Sequence, residues 1–183
     1  FVVENGIVYS SDFTKIIKAI SLPENYVMKS TVTEIGEYAF SGNTTIKTAT
    51  VNNTVTEISY GAFLGCSALE NVAMPEGLVG IGYSAFKDSG LKSVALPSTV
   101  KIIDEEAFAN CKSLTSVSLN DGLEKIFQEA FINSGITSVV IPDSVTDIRN
   151  NAFCNCDSLT NVVIGKGIKT LDSETFCNCD ALV

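Results

Sequence analysis

Two Cys-Asn-Cys tripeptides, Cys154-Asn155-Cys156 and Cys177-Asn178-Cys179, are the residues of this chain best equipped for chemistry. Four thiols in two pairs could hold zinc, and two of them could close a disulfide. Their positions divide them. Cys156 and Cys179 stand three residues after a phenylalanine, as do Cys66 and Cys111. That column reads as small and buried, where a free cysteine packs as a small hydrophobe. Cys154 and Cys177 stand one residue after a phenylalanine, in a column otherwise holding Ser41, Leu64, Lys87, Ala109 and Ile132. It reads as outward-facing, which points these two away from the buried pair and argues against shared zinc. A Cys154–Cys177 disulfide needs the two backbones about 5–6 Å apart. The residue types leave that pairing open.

Other reactive constellations are weak. The chain has no His, so neither a Ser-His nor a Cys-His pair can be built from it. Asp104, Glu105, Glu106, Glu124, Glu129, Asp147, Asp172 and Glu174 gather along one turn of successive segments. They read as a solvated acidic edge rather than a glycosidase pair or a calcium site. Gly80-Ile81-Gly82-Tyr83-Ser84-Ala85 matches a variant of the dinucleotide fingerprint, which needs a strand, a long helix and a distal acid around it. Periodicity already explains Ile81 and Ala85. No catalytic residue, metal or cofactor is expected. Asn43-Thr44-Thr45 and Asn52-Asn53-Thr54 are glycosylation sequons. The net charge, 12 − 21 = −9, argues against nucleic-acid binding, which relies on Lys and Arg at phosphates. No apolar run reaches the roughly 18 residues of a membrane span.

What positions these groups is a repeat. Phenylalanines close a unit at Phe40, Phe63, Phe86, Phe108, Phe131, Phe153 and Phe176, at intervals of 22 or 23 residues. Self-similarity at such a period signals a solenoid, in which each unit buries its apolar face against its neighbours. Five or six residues after each Phe comes Ile46, Leu69, Leu91, Leu114, Ile136, Leu159 or Leu182. Then follow Ala49, Val72, Val94, Val117, Val139 and Val162, and two residues on Val51, Met74, Leu96, Leu119, Ile141 and Ile164. That period-2 alternation is one face of a strand, and Pro75, Pro97 and Pro142 end it. A second apolar pair, such as Val100 with Ile103, precedes a segment such as Asp104 to Cys111. There Ile103, Ala107 and Cys111 share i, i+4 spacing, which predicts one or two helical turns, with Ser59, Asp104 and Asp172 as N-caps.

Residues 1–31 read as an N-terminal hairpin, a cap on the column or a bridge to further repeats. Residues 32–183 read as the repeats proper. The chain begins at Phe1 without Met and stops at Val183 part-way through a unit, so it reads as a fragment of a longer protein. The outward positions of the main strand are Thr48, Asn71, Ser93, Ser116, Ser138 and Asn161, then Thr50, Ala73, Ala95, Ser118, Val140 and Val163. All are small and uncharged. Extended faces of this kind serve recognition in repeat proteins, so this face is the candidate binding site.

The unit Leu-x-x-Val-x-Leu-Pro-x-x-Val-x-x-Ile-x-x-x-Ala-Phe-x-x-Cys-x-x-Leu resembles the BspA-like, or Treponema-type, leucine-rich repeat. The match is strongest over Leu69 to Phe86, Leu91 to Cys111 and Leu114 to Phe131. Asn5 to Asp12 resembles the hairpin insertions of that family. Thr175 in place of Ala, the weak first strand at Thr45–Ala49, and Phe127 after Ile126 depart from the pattern. The resemblance implies a right-handed leucine-rich-repeat solenoid, β-rich, with a parallel sheet and short helical or 3-10 turns. It also implies a secreted or surface-anchored protein that adheres to proteins or glycans of host matrix or other cells, without catalysis. The alternatives are a passive spacer displaying another domain and, last, a carbohydrate-active enzyme on a solenoid.

Overall fold

The computed structural model describes residues 1–172 and 174–183. The chain runs through sixteen short strands: β1 (Val2–Glu4), β2 (Ile7–Tyr9), β3 (Lys15–Ala19), β4 (Asn25–Val27), β5 (Glu34–Ile35), β6 (Thr48–Thr50), β7 (Glu57–Ile58), β8 (Asn71–Ala73), β9 (Gly80–Ile81), β10 (Ser93–Ala95), β11 (Ile102–Ile103), β12 (Ser116–Ser118), β13 (Lys125–Ile126), β14 (Ser138–Ile141), β15 (Asp147–Ile148) and β16 (Asn161–Ile164). From β3 onward they alternate between two parallel stacks, so each coil contributes one strand to each. The main stack is β4-β6-β8 followed by β10-β12-β14-β16, and the second contains β7-β9-β11-β13-β15.

The N-terminal hairpin forms as the turn residues Asn5 and Gly6, both with positive φ, dictate. β1 pairs antiparallel with β2, and β2 with β3. β3 then pairs in parallel with β5, placing Ile16 beside Ile35. β4 pairs in parallel with β6, placing Tyr26 beside Ala49. Residues 15–27 therefore lie in the same two stacks as the coils that follow, and the strand after Thr45 has a partner on each side.

The interior is a column of phenyl rings. From Phe40 to Phe176 each neighbouring pair is stacked, with centroids 4.7–5.4 Å apart and planes within 4–13°. Offset stacks of this kind contribute about 0.5–1.5 kcal/mol per pair beyond burial. Tyr26 covers the N-terminal end of the column, 5.7 Å from Phe40. The aliphatic columns flank the rings and are buried with them.

The expected helical turns do not form. Among the described residues there is no helix. In the coils of Phe40 to Phe153 two residues adopt positive φ instead, one two positions before the Phe and one two positions after it. Glu106 and Asn110 flank Phe108 this way, at 56° and 60°. The backbone N–H groups then alternate. Those of Glu106, Phe108 and Asn110 donate to carbonyls of the next coil, at Gln128, Ala130 and Ile132, while those of Ala107, Ala109 and Cys111 close turns three residues back. An α-helix would consume all of these donors within the segment. Here half of them bond along the solenoid axis. A left-handed residue every four positions reproduces the i, i+4 burial of Ile103, Ala107 and Cys111 without a helix.

The shorter intervals leave a mark. β8 and β10 do not form a ladder, and β12 meets β14 at Ser116↔Ser138 alone. These are the two places where main-strand positions lie 22 residues apart rather than 23. Each shortened coil carries Ser-Gly, Ser89-Gly90 or Ser134-Gly135. A Cβ on Gly90 or Gly135 would strike the carbonyl oxygen of Ser67 or Lys112, so only glycine lets the chain take that shorter path.

Candidate interaction surfaces

A β-strand turns alternate side chains to opposite faces, so a parallel stack in register lines up every second residue. Thr48 faces Asn71, and Thr50 faces Ala73. Ser93 and Ala95 face Ser116 and Ser118. Ser138 and Val140 face Asn161 and Val163. Thr48 is half-buried and the other eleven are exposed. The register brings all twelve onto one face, in two groups separated where β8 and β10 part. Two further members come from β4, within the segment read as a cap. Asn25 accepts a hydrogen bond from Thr48 Oγ1 at 2.8 Å, and Val27 is 69% exposed. Their signal was the spacing of 23 residues from Asn25 to Thr48. Charges flank this face but pair among themselves, Lys47 with Glu24 at 2.9 Å and Lys92 with Glu70 at 2.7 Å. Val27, Val140 and Val163, the last two 61% and 49% exposed, make its ends apolar.

On another edge three tyrosines line up. Tyr38 and Tyr60 lie edge to face at 4.8 Å, and Tyr60 and Tyr83 lie tilted at 5.0 Å. The backbone explains the fit: Gly61 stands at a left-handed position, φ 55°, and a Cβ there would come within 2.6 Å of the Tyr38 ring. Sequence reading missed this row, although tyrosine recurs two or three residues before Phe40, Phe63 and Phe86. The row ends at Glu106, which accepts from Ser84 Oγ at 2.9 Å and pairs with Lys87 at 2.8 Å. Burial alone would raise the Glu106 pKa, but those bonds outweigh it and hold the carboxyl below its usual range.

A third row is amide. Asn178, Asn155, Asn133 and Asn110 each donate through Nδ2 to the residue one coil earlier, at 2.8–2.9 Å, and the row ends on the Asp88 carboxylate. Asn tolerates the left-handed backbone needed there, and aligned amides reinforce one another. An open hollow of about 600 Å³ runs beside it.

The thiols divide as read, with one correction. Cys66, Cys111, Cys156 and Cys179 are free and buried, each donating to the Phe carbonyl of the preceding coil at 3.1–3.3 Å. Cys154 and Cys177 do not face outward. They turn to each other and form a disulfide across adjacent coils, Cα–Cα 4.6 Å, and Cys154 is buried. Stacked coils place equivalent residues within disulfide range. Among the described residues no three His, Cys, Asp or Glu side chains are grouped to hold a metal. The acidic residues disperse instead: Asp104 accepts from the Glu105 N–H at 2.8 Å, Glu124 pairs with Lys101 at 3.5 Å, and Asp147 with Arg149 at 2.9 Å. No helix among the described residues is long and apolar enough to cross a membrane.

A family model described as "BspA type Leucine rich repeat region" matches residues 14–89 and 79–183, in six copies. A leucine-rich repeat protein of T. pallidum superposes with a TM-score of 0.85 at 24% identity, over 97% of this chain and 87% of that one. A leucine-rich cell surface protein from Faecalibacterium prausnitzii gives 0.64 at 24%, over 89% of this chain and 54% of that one. The pneumococcal vaccine antigen PcpA gives 0.75 at 20%, over 89% and 51%. The chain thus spans about half the length of these last two. At such identities the likeness is one of fold. No curated relative matches the sequence.

Proposed function

We propose that this chain, which belongs to the BspA-type leucine-rich repeat family, is the interaction module of a secreted or cell-surface protein. Its sheet face engages a protein or glycan on host matrix or on another cell. The observation that carries this reading is the face itself: two exposed columns, Thr48 to Asn161 and Thr50 to Val163, aligned by backbone register and free of charge. A flat surface with small hydroxyls and amides can approach a partner closely without desolvating ions. The Cys154–Cys177 disulfide supports export, since disulfides persist in oxidising compartments. The neighbour from F. prausnitzii is itself a cell surface protein. The BspA-type repeat is a non-catalytic scaffold, which fits binding rather than turnover. The β1–β2 hairpin, with Ile7 and Tyr9 buried, acts in this reading as a cap on the first coil.

The test presents the purified chain to a panel of matrix proteins and a glycan array. Binding at micromolar concentration that Ser116→Arg and Ser138→Arg abolish supports the sheet face. If both variants bind like the parent, the face is not the site. If nothing binds, the chain is a spacer. The continuous phenyl column favours that second reading, because it makes a stiff rod.

A further inference from the structure

The tyrosine row lies apart from the sheet face, and the repeat does not explain it. Tyr60 and Tyr83 stand three residues before a Phe, where a residue that solvates well suffices and other coils use Glu37, Glu105, Gln128 and Asn150, and Tyr38 stands one position later in its own coil. Tyr38 and Tyr60, each 37% exposed, instead leave ring surface in water. Gly61 is also required to seat the first ring.

The charge around the row is mostly negative, although Lys18 donates to the Tyr38 carbonyl oxygen at 2.8 Å and Lys87 pairs with Glu106. An open hollow of about 450 Å³ beside Tyr60 is lined by Lys15, Ile17, Glu34, Glu37, Glu57 and Ser59. Glu34 pairs with Lys15. Glu37 and Glu57 have no ion pair among the described residues. At the far end Glu105 adds negative charge beside Tyr83, and Glu106 there is paired with Lys87. Exposed aromatic faces next to uncompensated carboxylates suit a cation, and guanidinium best of all. Its plane stacks on a ring while its fork of donors meets carboxylate oxygens.

We propose that Tyr38, Tyr60 and Tyr83, with Glu37 and Glu57, form a second binding site, which takes an arginine-bearing extended peptide segment of a protein partner. The rings span three coils, two successive centroid steps of 4.8 and 5.0 Å. Alternate residues of an extended peptide are about 6.6–6.8 Å apart on one face, so two arginines of an Arg-x-Arg segment reach the row together. The Tyr60 phenol beside Tyr38, with burial and the Glu37 charge, pushes Tyr38 up to about 12, and the Glu106 charge pushes Tyr83 up.

The probe is a fluorescein-labelled octapeptide of alternating arginine and serine, titrated into the intact chain and followed by anisotropy. Tyr60→Gln with Tyr83→Gln leaves the net charge at −9, so it separates the rings from the general acidity of the protein. Gln128 fills this column natively, so the variant folds, and circular dichroism checks that it does. The expected result is a loss of affinity on the order of tenfold, as removal of one or two cation–π contacts entails. Glu37→Gln with Glu57→Gln weakens binding comparably and flattens its salt dependence. The chain has no Trp, so quenching of tyrosine emission by the unlabelled peptide is a second readout on the parent alone. Unchanged affinity in the tyrosine variant, or no quenching, overturns the proposal. So does a glycan whose binding, rather than the peptide's, is lost with the tyrosines. Failure of the sheet-face reading is distinguishable, because Ser116→Arg and Ser138→Arg lie on the other surface.

Discussion

Cys154 and Cys177 occupy the same place in successive coils, with Cα atoms 4.6 Å apart, and a disulfide joins them. The bond closes a loop of 23 residues. Chain-entropy arithmetic for a loop of that length gives about 3 kcal/mol. Replacing both cysteines by serine should lower stability by roughly that amount, with the loss confined to the C-terminal coils, because solenoid repeats contact only their neighbours. Urea unfolding combined with hydrogen exchange reads both quantities. Uniform loss of protection along the chain would contradict the picture.

The four free thiols should be inert. Burial pushes Cys66 up to about 12 and Cys111 and Cys156 up to about 11, and raises Cys179 as well. The reactive species is the thiolate, and an upward shift removes it at neutral pH. Near pH 8 the native chain should react with no equivalent of a disulfide-exchange dye, and urea should release four. Cys111→Ser should fold, since Ser89 and Ser134 already fill this column.

Phe108 is fully buried between Phe86 and Phe131, at 5.3 and 5.2 Å. Phe108→Ala should cost about 3–5 kcal/mol and split a single unfolding transition into two, as the halves of the column lose their coupling. Phe176, partly buried at the last stacked position, should cost less and leave one transition. Calorimetry distinguishes the cases.

Asn133 sits at φ 56°, where Gly42 and Gly65 stand in earlier coils. Asn133→Gly should fold with a loss of about 1–2 kcal/mol from the two amide hydrogen bonds it removes. Asn133→Val should lose more than Asn133→Gly, because a β-branched residue resists the left-handed region. Thermal melts of the two variants give the order.

Thr175 replaces the alanine found at this position in every earlier coil, from Ala39 to Ala152. Its side chain is buried, and Oγ1 has no hydrogen-bond partner among the described residues. Thr175→Ala should stabilise the chain by about 1 kcal/mol, read as a higher urea midpoint at unchanged m-value.

Repetition made most of the fold legible. Phe at intervals of 22 or 23 residues, aliphatics at fixed offsets and prolines after the main strand specify which residues are buried, because each coil repeats the contacts of the last. The same spacing misled where two backbones bury one pattern. Ile103, Ala107 and Cys111 fit a helix by period, yet left-handed residues at Glu106 and Asn110 send half the donors to the next coil. That exchange depends on carbonyls 22 or 23 residues away in sequence, invisible to a local window.

The residues alone determined the stack, its phenyl interior, the burial of Cys66, Cys111, Cys156 and Cys179, and which small side chains line the sheet. The tertiary structure decided what meets across coils: the Cys154–Cys177 bond, the amide row ending on Asp88, the tyrosines seated over Gly61, and the place of residues 15–27 in both stacks. The reason is physical. Burial depends on a residue's own offset within its coil, whereas side-chain partnership depends on the register between coils, which backbone hydrogen bonds between them set.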